Sequence, residues 1–222
     1  MRHVVSDQLG DFASIYDEDV EVVSVTRPLA SECEALSSQL VCSRQLASMQ
    51  WVQAVENRKA ALSGGLPHSV DNDASSALAG EIREAIALMS RLMGCSHVGV
   101  RLESLRAPMC PRFHADHVLC RMLITLSGAG TEWIPHADVD WHVFADRNAT
   151  HPPLRSNAKV QQLATGSWSL LKGGKWNEDF DGVVHRSPDV PGGRLLLALD
   201  PVFGGAEKTP GRARAFHPSA VS

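Results

Sequence analysis

After Gly94 the sequence consists of short apolar runs separated by turns rich in glycine and proline. Runs of this length with turn residues between them are typical of strands, so a series of them restricts this part of the chain to a β-rich fold. The predicted strands are residues 97–102, 112–116, 119–126, 132–134, 139–144, 167–171, 182–185 and 194–199. Helical segments followed by short strands favour an α+β sandwich or jelly roll with the helices packed outside.

Before Gly94 the apolar residues recur at helical spacing, which predicts two helices. The first is expected from Ser31 to about Leu62, and the second from about Ser75 to Met93. The apolar face of the second helix is made up of Leu78, Ile82, Ile86, Met89 and Met93. We expect these helices to pack against the β-rich part of the chain.

Composition and charge narrow the class of protein. The chain has 222 residues, of which 44% are hydrophobic and 21% charged, and its formal net charge is -4. This composition is that of a folded globular protein and excludes extensive disorder. The negative charge disfavours binding to nucleic acid by bulk attraction, although a groove lined by arginines would provide a local basic surface. Those arginines are Arg101, Arg106, Arg112 and Arg121.

The sequence also bears on location. No run approaches the roughly 18 to 20 apolar residues that a membrane span needs, and the amino terminus lacks the apolar core of a secretory signal. We therefore predict a cytoplasmic protein that does not associate with membranes. The sequence leaves the oligomeric state open.

Ten histidines raise the question of a metal site, because neutral imidazole is the commonest metal ligand in proteins. His114 and Asp116 are two residues apart on a predicted strand, so their side chains are expected on the same face. His185 ends a later predicted strand and supplies a third donor. Two imidazoles and one carboxylate on one face of a metal leave the opposite positions open, as in non-haem Fe(II) oxygenases.

The residues around these donors resemble the H-x-D…H…R signature of the Fe(II)/2-oxoglutarate-dependent oxygenase superfamily. The matching segments are Phe-His-Ala-Asp at residues 113–116 and VVHRSPDVPGGRLLLAL, which contains His185. The resemblance implies a double-stranded β-helix, a form of jelly roll, with Fe(II) held by His114, Asp116 and His185.

The same resemblance implies 2-oxoglutarate as a co-substrate. Arg194 lies nine positions after His185, where the superfamily has the basic residue that binds the far carboxylate of 2-oxoglutarate. A guanidinium suits this role because it binds a carboxylate through two parallel hydrogen bonds and stays charged. The tyrosine that often assists in such enzymes has no counterpart, since Tyr16 is the only tyrosine and lies far upstream. Arg121 is therefore expected to assist in binding the co-substrate, with Arg112 and Thr125 as alternatives.

A member of this superfamily would hydroxylate or demethylate a small-molecule or protein substrate and release succinate and CO2. The resemblance divides the chain into a helical segment at residues 1–94, a double-stranded β-helix core at residues 95–205 and a tail at residues 206–222. The loop at residues 145–159 and the amino-terminal helices are expected to form variable walls of the substrate pocket, because loops on a rigid scaffold commonly carry specificity.

The run CPRFHADHVLCRMLITLSGAGTEWI is similar to an uncharacterised bacterial family whose genes often lie among zinc-homeostasis genes. The motif residues of that family would be Cys110, His114, Asp116, Arg121 and Trp133. This second resemblance implies a metal site without specifying an activity. It makes Zn(II) the alternative metal, and a non-catalytic zinc-binding or zinc-homeostasis protein the alternative function.

Three further alternatives stay open from the residues. A second His-Ala-Asp tripeptide, His136 to Asp138, could replace His114 and Asp116 in the metal site. Cys110 and Cys120 could supply thiolate ligands to zinc, which favours such ligands. The histidine-rich strand could also merely pack within a cupin-like interaction module.

Overall fold

Two sheets and three helices make up the part of the chain that this computed structural model describes, residues 1–43, 46, 48–56, 72–189 and 191–203. The helices are α1 Ser31–Ser43, α2 Asn72–Met93 and α3 Trp141–Ala145. The strands are β1 Arg2–Ser6, β2 Val20–Val25, β3 Met49–Ala54, β4 His97–Leu105, β5 Cys120–Ser127, β6 Glu132–Ile134, β7 Gln161–Gln162, β8 Trp168–Lys172, β9 Val184–Arg186 and β10 Arg194–Val202. The chain is thus a mixed α and β protein, as predicted.

The large sheet has the strand order β1-β2-β8-β5-β10-β4-β3, and the small sheet has the order β7-β6-β9. Every neighbouring pair is antiparallel except β1 and β2. From β5 onward the chain crosses between the two sheets four times, because β5, β8 and β10 lie in the large sheet and β6, β7 and β9 lie in the small one. These crossings stack one sheet upon the other.

The central strands of the large sheet are covered on both faces. On one face α1 and α2 pack against inward-pointing residues of the strands, such as Val98, Val100 and Leu102 of β4. On the other face a second apolar cluster joins the two sheets, and its members are Val22, Leu123, Trp133, Leu163, Leu171, Phe180, Val183, Leu196 and Ala198. A third, smaller cluster covers the outer face of the small sheet. The strands of the large sheet therefore present one set of alternate residues to the helices and the other set to the space between the sheets.

The amino-terminal region differs from the prediction. The helix expected from Ser31 to about Leu62 is present as α1, but the expectation is wrong for Met49–Ala54, which is a strand paired with β4. The last part of that expected helix, residues 57–62, lies outside the described residues. Met49 and Gln53 are buried while Gln50 and Val52 are exposed, which is the alternation of a half-buried strand. Residues 1–94 therefore contain α1 and α2 together with three strands of the large sheet. The expected helix at Ser75 to Met93 is confirmed as α2.

Two of the predicted strands are also wrong. Residues 139–144 were expected to be extended, but they lead into α3, because the Asp140 carboxylate accepts hydrogen bonds from the backbone N–H groups of His142 and Val143 and caps the helix. Residues 112–116 form no regular strand, and only His114 makes a β-bridge there. No described helix has the length and apolarity to cross a membrane.

Candidate metal centre

Two reciprocal backbone hydrogen bonds join His114 to His185. The His114 N–H donates to the His185 carbonyl at 3.0 Å, and the His185 N–H donates to the His114 carbonyl at 2.9 Å. This bridge attaches the 112–116 segment to the free edge of β9. Since directly opposed residues of an antiparallel pair point to the same face, the two imidazoles stand side by side, with ring centroids 4.5 Å apart.

The other end of this segment is held by the turn after β8. The Gly174 N–H donates to the Asp116 carbonyl at 2.9 Å, and the Gly173 N–H donates to the Leu119 carbonyl at 2.9 Å. The two backbones approach so closely that a Cβ on Gly173 would collide with the Val118 carbonyl. Glycine is therefore needed where the turn meets the segment that carries Asp116.

The side chains of His114, Asp116 and His185 converge on one point. Their candidate ligand atoms all lie within 4.8 Å of one another, and no other group of this kind occurs among the described residues. His185 Nε2 lies 3.2 Å from Asp116 Oδ2, and His114 Nε2 lies 3.7 Å from Asp116 Oδ1. The sequence-predicted triad is thus assembled in space although only His114 and His185 belong to β-bridges.

Hydrogen bonds orient both imidazoles. His114 Nδ1 lies 3.1 Å from the Arg112 carbonyl and His185 Nδ1 lies 2.9 Å from the Val183 carbonyl. A carbonyl oxygen can only accept, so Nδ1 carries the proton in each ring and, in the neutral form, Nε2 keeps its lone pair. Two lone pairs and a carboxylate then face one another, an arrangement that a bound cation stabilises and that metal-binding histidines commonly adopt.

Electrostatics at the centre follow from burial and charge. Burial lowers the pKa of His114, and the neighbouring His185 lowers it further. Burial on its own would raise the pKa of Asp116, but the nearby His185 and the positive charge of Arg121 outweigh it and hold that pKa well below its usual range. The centre therefore presents a carboxylate and a neutral His114 imidazole at neutral pH.

Arg121 lies between two carboxylates. Its Nε and Nη2 donate to the two oxygens of Asp200 at 2.7 and 2.8 Å, and its Nη1 donates to Asp116 Oδ2. These bonds hold Arg121 beside the Asp116 carboxylate, and the expected role of Arg121 at the co-substrate stays a prediction. Its geometry assigns it to orienting Asp116, with Asp200 fixing the guanidinium in turn.

Arg194 begins β10 and lies almost fully buried, at 2% exposure, on the inner face of the large sheet. Its Nη2 donates to the hydroxyls of Thr125 and Thr131 at 3.3 and 3.0 Å. Its Nε and Nη1 are buried and have no hydrogen-bond partner among the described residues. Burial lowers the pKa of Arg194 to about 10, so it remains a cation at neutral pH. A buried cation with two free donors is costly unless an anion binds it.

An apolar strip separates the triad from Arg194. On β5, Leu123 lies between Arg121 and Thr125 on the same face of the strand. On β10 the corresponding residues are Leu196 and Ala198, and all three pack in the cluster between the sheets. The site therefore has a polar end at the triad, an apolar floor and a buried cationic end.

The second His-Ala-Asp tripeptide has a structural role. Residues His136–Asp138 form a 3-10 turn, and the His136 ring packs between Trp141 and Phe180 with centroids 4.9 and 5.3 Å away. Its backbone N–H donates to the Glu21 carboxylate at 3.1 Å. Burial raises the pKa of Glu21 to about 7. His136 does not belong to the convergent group.

The two cysteines considered as ligands lie outside the triad as well. Cys120 is fully buried in β5 against the helices, and Cys110 is half-buried near Asp116 without joining the cluster. Burial raises the pKa of both thiols. Neither is therefore poised as a thiolate ligand.

Sequence reasoning missed Thr131, Asp200 and Glu103 as residues of this interior. Asp200 and Arg194 are an even number of positions apart on β10, and so are Glu103 and Arg101 on β4. The two residues of each pair therefore point to the same face of the sheet. Strand alternation could have placed them on the inner face, but not beside their partners, because that depends on how β4, β5 and β10 are paired.

Comparison with known families gives one match. A family profile described as "Protein of unknown function (DUF1826)" matches residues 6–200. A search of curated proteins found no match.

Solved structures of similar fold include two dioxygenases for auxin oxidation. The dioxygenase for auxin oxidation 1 of Arabidopsis thaliana, in complex with 2-oxoglutarate, has a TM-score of 0.52 at 10% identity, with 95% of this chain and 95% of that chain covered. The dioxygenase for auxin oxidation of rice has a TM-score of 0.51 at 13% identity, with 97% of this chain and 90% of that chain covered. A Pseudomonas putida prolyl-4-hydroxylase has a TM-score of 0.48 at 10% identity, with 89% and 100% covered. The likeness to the two auxin dioxygenases concerns the fold.

The close backbone contact at the turn after β8 leads to a prediction about stability. Gly173→Ala should lower the free energy of unfolding by about 1 to 3 kcal/mol, because the added Cβ meets backbone that cannot move without displacing Asp116. The matched control is Gly10→Ala, where a Cβ meets no atom within 4 Å, and its change should stay within about 0.5 kcal/mol. Denaturant unfolding of both variants measures the difference, and equal losses would contradict this account of the turn.

Proposed function

The chain belongs to the DUF1826 family, and we propose that it is an Fe(II)/2-oxoglutarate-dependent dioxygenase-like enzyme that hydroxylates or demethylates its substrate. The observation that carries the proposal is the pairing of a His-Asp-His cluster at the edge of the small sheet with a buried guanidinium of the large sheet that has free donors, both in the space between the sheets. The fold shared with a dioxygenase solved with 2-oxoglutarate supports it.

The strand arrangement supports a double-stranded β-helix. Four strands of the large sheet, in the order β8-β5-β10-β4, face a small sheet in which His114 extends the order β7-β6-β9. The chain crosses repeatedly between these two layers, with β6 and β7 as consecutive strands of the same layer, and such crossings are typical of a jelly roll. In this interpretation β1, β2 and β3 extend the large sheet, and α1 and α2 cover its outer face.

The donor set fits Fe(II). His114, Asp116 and His185 would hold the metal through two imidazole nitrogens and one carboxylate oxygen, the combination used by non-haem Fe(II) oxygenases. Both Nδ1 atoms are occupied by backbone carbonyls, so the Nε2 atoms are the ligating ones. Zn(II) accepts the same three donors, and the half-buried Cys110 and buried Cys120 add no thiolate to favour it.

The interior also fits 2-oxoglutarate. Its far carboxylate would take the free Nε and Nη1 donors of Arg194, while Thr125 and Thr131 hold the third nitrogen and so fix the plane of the guanidinium. Its methylene carbons would lie on the apolar floor of Leu123, Leu196 and Ala198. The threonines thus supply the support that a tyrosine often gives in related enzymes.

The residues of this chain position and protect the reacting groups. Arg121 orients Asp116 through one carboxylate oxygen, and Asp200 holds Arg121 by two further bonds. The apolar cluster between the sheets keeps water away from the floor of the site. When bound, Fe(II) and 2-oxoglutarate supply the oxidative chemistry, in which 2-oxoglutarate and dioxygen yield succinate and CO2 as the substrate is oxidised.

Succinate formation tests the proposal. Protein reconstituted with Fe(II) and 2-oxoglutarate without oxygen should form succinate when oxygen is admitted, and Asp116→Ala should not. Failure of the wild-type chain to bind Fe(II) and 2-oxoglutarate would refute the proposal. Tight binding of Zn(II) without any turnover would instead support the alternative, a non-catalytic zinc-binding protein.

Metal affinity distinguishes the two His-Ala-Asp tripeptides. Replacing His114, Asp116 or His185 by alanine should raise the Kd for Mn(II), used as a stable stand-in for Fe(II), by at least about 100-fold, since loss of an outer partner alone costs 10- to 100-fold. His136→Ala is the matched control and should bind Mn(II) like the wild type. Electron paramagnetic resonance of free Mn(II) gives the Kd. A loss in His136→Ala as large as in His114→Ala would contradict the assignment.

Arg194 should control co-substrate affinity. Arg194→Gln keeps an amide but removes the charge, and loss of charged hydrogen bonds worth about 1.5 to 3 kcal/mol should raise the Kd for 2-oxoglutarate by about 10- to 100-fold. Arg155→Gln serves as control, because Arg155 donates to the Val139 carbonyl outside the space between the sheets. Titration calorimetry of the metal-loaded proteins measures both. An unchanged Kd in Arg194→Gln would show that the co-substrate binds elsewhere.

A further inference from the structure

Two oppositely charged side chains stand on the inner face of β4, beside the floor of the site. Arg101 and Glu103 are two residues apart on this strand, so both point to the face opposite Val100 and Leu102, which pack against the helices. Their partners on β10 are Ala198 and Leu196, two residues of the apolar floor. Arg101 and Glu103 therefore flank the space between the triad and Arg194.

Neither side chain has a hydrogen bond within the described residues. The closest carboxylate to Arg101 is that of Asp200, and the shortest distance there, from Nη2 to Oδ2, is 3.9 Å, beyond a hydrogen bond. Asp200 is already engaged by both parallel bonds from Arg121. Burial raises the pKa of Glu103 on balance, against the charges of Arg101, Arg121 and Arg194 that surround it. Apart from the long ion pair of Arg101 with Asp200, the hydrogen-bonding groups of these two half-buried side chains are unused among the described residues. Such groups are available to a ligand.

Arg101 differs in this respect from the other arginines that we expected to line a basic groove. Arg106 donates to the Val41 carbonyl, Arg112 donates to the carbonyls of residues 146 and 147, and Arg121 is bound by two carboxylates. Of the four, Arg101 alone makes no hydrogen bond to a described residue, and its ion pair with Asp200 spans 3.9 Å. A continuous basic groove is therefore absent from this part of the described surface.

The inner face of β4 also opens to solvent. Gln50 and Val52 of β3 lie opposite Arg101 and Gly99, which places them on the same face of the sheet. Val52 is 62% exposed, so the small sheet does not cover this edge. The Arg101 side chain is 24% exposed, so a ligand can contact it from this side.

The walls that we expected from the sequence lie elsewhere. The helices α1 and α2 pack on the opposite face of the large sheet. The loop at residues 145–159 packs on the outer face of the small sheet, where Phe113 and Leu154 lie, and Phe113 points away from the face of His114. Strand β4 is thus the element that offers polar groups to a substrate.

We infer that Arg101 and Glu103 bind the substrate of the proposed enzyme, and that this substrate is a small zwitterion of the α-amino acid class. Its carboxylate would accept from the Arg101 guanidinium, and its ammonium group would donate to the Glu103 carboxylate. Residues two apart on a strand stand about 7 Å from each other, close enough for their side chains to reach the adjacent charges of one α-amino acid. The side chain of the ligand would then extend towards the triad.

This inference rests on the proposed function for the reaction of the amino acid. Binding of the amino acid to Arg101 and Glu103 does not need a metal. The twenty common L-α-amino acids are therefore screened one at a time by thermal shift, both on metal-free protein and on protein loaded with Fe(II) and 2-oxoglutarate in the absence of oxygen. At least one should raise the Tm of both forms. Its Kd by titration calorimetry should be at least tenfold lower than those of the amine lacking its carboxylate and of the acid lacking its ammonium group.

Two substitutions test the contact with the carboxylate and the contact with the ammonium group separately. Arg101→Gln should remove the preference for the amino acid over the amine, and Glu103→Gln should remove the preference over the acid. Arg83→Gln and Glu34→Gln, at exposed positions of α2 and α1, are the matched controls and should keep both preferences. Circular dichroism confirms that each variant is folded.

The outcomes distinguish this inference from the proposed function. Protein that binds Mn(II) and 2-oxoglutarate but none of the twenty amino acids overturns the zwitterion site alone. The same holds if the amine and the acid bind as tightly as the amino acid, or if both glutamine variants keep the wild-type preferences. Amino-acid binding that depends on Arg101 and Glu103, in protein that binds neither metal nor 2-oxoglutarate, supports the site and refutes the oxygenase.

Discussion

Two backbone hydrogen bonds between His114 and His185 create the candidate site. They bring an irregular segment to the free edge of β9 and place two imidazoles on the same face. The turn at Gly173 and Gly174 holds the far end of that segment, so Asp116 points to the same place as the two histidines. Without this attachment the three donors would belong to unrelated parts of the chain.

The inner face of the large sheet supplies the remaining parts of the site. Alternation along β5 and β10 delivers Arg121 and Asp200 at one end, and Thr125 and Arg194 at the other, with apolar residues between them. The same alternation packs the intervening residues against the helices. Residues on one face of these strands therefore pack against the helices, and residues on the other face form the candidate site. A one-residue slip in register would exchange these two sets of residues.

The errors of sequence interpretation share a physical cause. The segment at Met49–Ala54 has apolar residues that fit a helix as well as a strand, and pairing with β4 decides between them. At residues 139–144 the apolar run suggested a strand, but the carboxylate of Asp140 caps a short helix there. Local pattern was sufficient for α2, whose 22 residues maintain one apolar face, and for strands with long apolar runs such as β5 and β10.

The sequence by itself determined the identity and spacing of His114, Asp116, His185 and Arg194, because a motif is a property of the order of residues. Only the tertiary structure decided between the two His-Ala-Asp tripeptides, since one lies at a strand edge facing His185 and the other lies in a turn against aromatic rings. The tertiary structure also places Arg121 against Asp116. It leaves hydrogen-bonding groups of Arg194, Arg101 and Glu103 unused among the described residues. The hydrogen-bond partners of a side chain depend on strands that come together from distant parts of the chain, and the local sequence pattern does not predict which strands pair.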